Sequence, residues 1–168
     1  MLAVIGFSLP AGIISLEAPV AINDSLVWAC LDDSQNAEEL MEELSFPEKW
    51  NPEGFATVLP VHISITERPA LNLILMLLDN PDETEGYLLS CSEEGLIIDS
   101  LPLYYWNSEG FEAWNSTINT DGSVIINIQS ADGWGENLSD TTFLEIDGTF
   151  TMTSSSVMMD TEEQQKNP

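Results

Sequence analysis

Hydrophobic residues enter this chain in two rhythms. In the first half they come in long runs, and from Gly86 onward they come in short stretches set between turn dipeptides. Leu2 to Ile14 and Ile22 to Leu31 read as apolar strands, broken at Pro10-Ala11-Gly12 and around Pro19. The period then changes. Leu40, Met41 and Leu44 form a narrow stripe at helical spacing, with Asp33 or Ser34 as N-cap and Pro47 as the stop. Glu38 and Glu39 fall near the positive end of that helix dipole. Next, Val61, Ile63 and Ile65 alternate with His62, Ser64 and Thr66, the period of a strand with one wet face. Leu71 to Leu78 is unbroken, which suits a central strand or, alternatively, a short buried helix.

The second half is punctuated by Glu85-Gly86, Glu94-Gly95, Glu109-Gly110, Asp121-Gly122, Asp132-Gly133 and Asp147-Gly148. An Asp-Gly pair supplies the positive φ of a tight hairpin. Between the pairs lie short strand patterns, among them Tyr87–Cys91, Leu96–Asp99, Leu103–Trp106, Val124–Gln129, Phe143–Ile146 and Phe150–Thr153. The expected fold is α+β and mostly β: an antiparallel meander sheet, strongly curled or barrel-like, with one main helix packed on it. Residues 1–20 read as an apolar first strand or a degenerate signal peptide, 21–153 as a single domain, and 154–168 as a polar tail that frays. The N-terminal run is too short to span a bilayer, lacks a Lys or Arg start, and has a poor cleavage site because Pro19 follows Ala18. These features favour a cytoplasmic over a periplasmic or secreted location without fixing it.

Charge changes the picture more than any motif. The chain has 168 residues, 43% of them apolar, enough for one domain with a real core. It carries 29 acids against Lys49, Arg68 and Lys166, a formal net charge of −26. Such a polyanion repels nucleic acid and anionic lipid, so direct contact with either is disfavoured. A cationic protein, a divalent cation or a salty medium would each make the charge useful. Residues 32–54 hold eight acids and one base, and 79–112 hold nine acids and no base. On the predicted helix Glu38 and Glu42, and Glu39 and Glu43, stand four apart, and each like-charged pair costs roughly 0.2–0.5 kcal/mol.

Catalytic signals are weak by comparison. His62 is the sole histidine and its strand neighbour Ser64 has no Gly-x-Ser-x-Gly elbow. One His and two Cys, Cys30 and Cys91, do not assemble an ordinary zinc site, and phosphate-binding glycine loops are absent. The two cysteines could pair only in an exported protein. With so many acids, carboxylate pairs arise by chance and point to no hydrolase. Asp79, Asp82, Glu83 and Glu85 form a dense run of oxygen donors for calcium, and the stretch from Asp132 to Asn137 with Asp140 forms another; neither has EF-hand spacing.

The expectation is therefore a non-enzymatic acidic binding protein. It would neutralise a basic protein partner, in the manner of an immunity protein or inhibitor, in stricter form as a nucleic-acid mimic. Its partner surface would comprise Asp32, Asp33, Glu38, Glu39, Glu42, Glu43 and Glu48, with Trp50 and Trp134 as aromatic anchors. The alternative is a secreted or periplasmic β-domain whose acidity reflects calcium binding or salt adaptation.

Overall fold

The computed structural model describes residues 8–47, 50, 54–67, 71–130 and 137–158. Those residues are mostly β, in one mixed sheet of ten strands with two short helices. The chain opens with β1 (Ile14–Glu17) and β2 (Val20–Ile22), then α1 (Asp24–Asp32) and α2 (Ala37–Leu44). The strands that follow are β3 (Thr57–Ser64), β4 (Asn72–Asp79), β5 (Glu83–Cys91) and β6 (Ile97–Asn107). Last come β7 (Glu112–Ile118), β8 (Ser123–Ser130), β9 (Leu138–Leu144) and β10 (Phe150–Val157).

From β3 to β10 the sheet is an antiparallel meander, each strand beside its predecessor. Four of the expected turn dipeptides do make its turns: Gly95, Gly110, Gly122 and Gly148 all take positive φ. Glu85-Gly86 does not, because it lies inside β5, and Asp132-Gly133 lies outside the described residues. Strand β1 adds in parallel to β3, pairing Ile14 with Val61 and Glu17 with Ser64. The sheet is neither closed nor strongly curled: its path of neighbours is open, with β1 at one end and β10 at the other. Closure would need these edges to meet. Strand β1 ends after four residues and the chain passes to β2, which pairs with β7 off that path.

Strand β4 explains why the run Leu71 to Leu78 is unbroken. Successive side chains point to opposite faces. Leu73, Leu75 and Leu77 enter the larger core cluster, while Ile74 and Met76 enter a smaller one on the other face. All five are fully buried, and burying each such side chain contributes roughly 1.5–3 kcal/mol. The larger cluster also takes Val27 and Cys30 of α1, and the smaller takes Met41, Trp50 and Cys91. Cys30 and Cys91 are both buried and free. They sit in different clusters, so they form no bridge, and burial pushes the Cys91 thiol up to about 11.

Several expectations need correction. Ile22 to Leu31 is not a strand: the chain turns helical after Asn23, whose Oδ1 accepts a hydrogen bond from the Leu26 N–H at 3.1 Å. Asp33 and Ser34 do not start α2. Their N–H groups donate to the carbonyls of Cys30 and Leu31 and so finish α1. The N-cap of α2 is Asn36, with no side-chain cap, and its end is Ser45 in the left-handed conformation (φ 53°) rather than Pro47. The patterns at Leu96–Asp99 and Leu103–Trp106 merge into the single strand β6. The polar stretch from Ser154 to Val157 continues β10 and pairs with β9. In the N-terminal segment, residues 1–7 lie outside the described part, and Ile13, Ile14, Leu16 and Val20 pack against the larger cluster.

Candidate functional site

Helix α2 sorts its residues by face. Ala37, Leu40, Met41 and Leu44 are buried, and the helix packs on β3 through them. Helical periodicity then forces Glu38, Glu39, Glu42 and Glu43 outward, and all four are exposed. Asp32 and Asp33, at the end of α1, are exposed as well. The first turn of α2 and the start of β3 enclose a groove of about 580 Å³ that Glu38, Glu39 and Glu42 line together with Phe55 and Val58. Of the acids expected at a partner surface, Glu38, Glu39 and Glu42 share this groove, and Asp32, Asp33 and Glu43 are exposed near it in sequence. Glu48 and Trp134 lie outside the described residues. Trp50 is not a surface anchor: it is 7% exposed and packs edge-on against Tyr87, with ring centres 5.2 Å apart. The physical reason is that α2 and β4 leave an apolar hollow on the smaller core's face, and the indole fills it.

The calcium candidates do not converge. Asp79 Oδ1 accepts the Thr84 hydroxyl at 2.7 Å, Glu85 accepts the Tyr87 hydroxyl at 2.7 Å, and the Asp82 N–H donates to Asn80. Among the described residues no group of three or more His, Cys, Asp or Glu side chains is placed to hold a metal ion. His62 meets Ser15 across β1, not Ser64, with Nδ1 3.3 Å from the hydroxyl. Ser64 instead donates to the Leu16 carbonyl. Burial lowers the His62 pKa, and no carboxylate among the described residues holds its ring.

A second feature was not foreseen. Strands β5, β6 and β7 hold a hollow of about 460 Å³ whose lining includes Glu85, Tyr87, Tyr105, Asn107, Glu112 and Trp114. Register builds it. Glu85 stands opposite Tyr105, and Tyr105 stands opposite Trp114, so three strands contribute one continuous row. That Tyr105–Trp114 position is the single paired one between β6 and β7, whereas β7 and β8 pair along their length. The sheet therefore parts beside the row. Between Gly86 and Tyr87 the register shifts, because Leu103 is an extra residue on β6 and bulges that strand. Gly86 is required there, because a Cβ would stand 2.9 Å from the Tyr104 Cβ.

Both carboxylates in the hollow are held by an aromatic donor two residues on. The Tyr87 hydroxyl donates to Glu85 and the Trp114 indole N–H donates to Glu112. Burial, and then the bond to Glu85, push the Tyr87 pKa up to about 12. Tyr105 and Trp114 meet at 6.3 Å with planes 60° apart. The sequence signal was present as Glu85-Gly86-Tyr87 and Glu112-Ala113-Trp114. In a strand, residues i and i+2 share a face, so Glu-x-aromatic is a carboxylate beside a ring.

Compared with known protein families, curated proteins and solved structures, the chain matches none. Among the described residues no helix is long and apolar enough to cross a membrane.

Proposed function

We propose that the protein is an acidic, non-enzymatic binding protein that neutralises a basic protein partner, as an immunity protein or inhibitor does. The observation that supports this reading is the outward face of α2. Four carboxylates stand exposed on eight residues of helix, with Asp32 and Asp33 before them. Such a surface accelerates encounter with a cationic partner and gains by shedding its own repulsion when the partner arrives. A face of carboxylates that covers a nuclease's phosphate-binding surface is the stricter, nucleic-acid-mimic form of the same proposal.

The test uses two immobilised proteins, wild type and the quadruple variant Glu38→Gln, Glu39→Gln, Glu42→Gln, Glu43→Gln, in the same host lysate at low salt. One basic protein retained in stoichiometric amount by wild type, released by salt and lost from the variant is the expected result. The captured protein should then associate with the variant more slowly, since charge acts mainly on the association rate. Equal retention by both proteins would remove α2 from the interface and sink the proposal.

A further inference from the structure

We propose that the hollow between β5, β6 and β7 is a binding site for an organic cation, an alkylated ammonium or a guanidinium group. This goes beyond the α2 surface and rests on different residues.

The chemistry of the lining carries it. Four aromatic residues, Tyr87, Tyr104, Tyr105 and Trp114, border a space of about 460 Å³, a volume in the ordinary range for small-ligand sites. Aromatic faces carry negative electrostatic potential and attract cations within about 6 Å of the ring centre. The carboxylates of Glu85 and Glu112 border the same space. Both are partly buried, where their charge is screened less than on α2.

Two carboxylates in the lining favour a cation over a neutral polar ligand. The Tyr87 hydroxyl and the Trp114 indole N–H are already spent on Glu85 and Glu112. Asn107 Nδ2 donates to the Tyr105 hydroxyl at 3.3 Å, and Asn107 Oδ1 accepts from the Gly110 N–H at 2.6 Å. Against the two carboxylates and the π-faces, the donors left on the lining are the Tyr105 O–H and the second Asn107 amide N–H. A sugar needs both donors and acceptors, whereas an ammonium or guanidinium group supplies donors, or only positive charge, and needs nothing back. Two edge-to-face pairs brace the walls: Trp50 stands behind Tyr87, and Tyr105 stands against Trp114. The rings are therefore held in place before any ligand enters, which reduces the ordering cost of binding.

The cation has two sources: a free small molecule, or an Arg or Lys side chain of a protein. The experiment titrates the full chain with tetramethylammonium, with capped and amidated Gly-Arg-Gly, and with glucose, at constant ionic strength set with NaCl. It follows the Trp114 indole N–H resonance. A saturable shift with either cation, and none with glucose, is expected. Preference for tetramethylammonium assigns a small-molecule ligand, and preference for the peptide assigns a protein side chain. Trp114→Leu should weaken cation binding about 2- to 30-fold, read by calorimetry because that variant lacks the resonance. Glu112→Gln keeps an acceptor for the indole and should also weaken binding, which guards against a Trp114 variant that fails to fold. A shift that tracks NaCl alone, a larger response to glucose, or full affinity in Glu112→Gln and in a folded Trp114→Leu would each overturn the assignment. None of these outcomes bears on α2, so the two proposals fail separately.

Discussion

The α2 face and the β5–β7 hollow are both built on glutamates, yet they place them in opposite physical settings. On α2 the carboxylates point into water and repel one another at i,i+4. In the hollow Glu85 and Glu112 are each fixed by an aromatic donor on the same strand face. Helical geometry puts like charges beside like charges and spreads them along a solvated stripe. Strand geometry puts an acid beside the residue two positions on, and here that residue is a ring with a donor. The first arrangement makes a field and the second makes a shaped site, although the residue type is the same.

The comparison can be broken most forcefully from underneath α2. Leu40 is 4% exposed beneath that helix. Leu40→Ala should cost about 2–5 kcal/mol in urea unfolding, and at low denaturant it should loosen α2 while the Tyr105 and Trp114 resonances stay in place. If the hollow changed first, the two regions would not be independent. The converse variant is Gly86→Ala. Its Cβ has Tyr104 at 2.9 Å and Leu77 at 3.4 Å, so overpacking should cost about 1–3 kcal/mol. It should also disturb the Tyr87 environment and leave α2 helicity unchanged.

Smaller effects sharpen the contrast in charge. The quadruple Glu-to-Gln variant of α2 relieves two like-charged pairs, worth up to about 0.4–1 kcal/mol at low salt, and loses the favourable dipole contact of Glu38 and Glu39, so its net gain should be smaller than that. Added NaCl should erase most of that gain, as it screens the same repulsion. Unfolding of the variant at neutral pH would instead show that these carboxylates are structural. The remaining contrast concerns Tyr87. Its folded pKa is about 12, above the ordinary 10, so its contribution is present below pH 10 and is lost as pH rises from 10 to 12. The urea midpoint should fall across that window. Tyr87→Phe should remove part of the fall, and Tyr104, raised by burial and by its bond to Asp24, should account for another part.

Legibility followed the range of the forces involved. The meander could be read because hairpin turns are local: Asp121-Gly122 and Asp147-Gly148 bend the chain whatever lies around them. The β4 run could be read because burial on both faces demands an apolar residue at every position. Helix α1 reads as a strand because its apolar run hides the period, although Asn23 and Asp24 at its start form a cap. Asp33 and Ser34 have good capping side chains, but which of two adjacent helices they serve depends on where the first one stops. Trp50 was misplaced for a different reason. An indole beside acids in sequence suits an interface or a core equally well, and residues distant in the chain, Ile74, Met76 and Tyr87, determine which.

Sequence alone therefore determined the β-rich class, the meander, the charge of −26 and the identity of the acids on α2, since each depends on composition or on spacings of a few residues. Tertiary structure decided the rest. It left the sheet open, with β1 at one end of the path of neighbours and β10 at the other. It also set Glu85, Tyr105 and Trp114 in one row from three strands, because register between strands is a long-range choice that no single strand encodes.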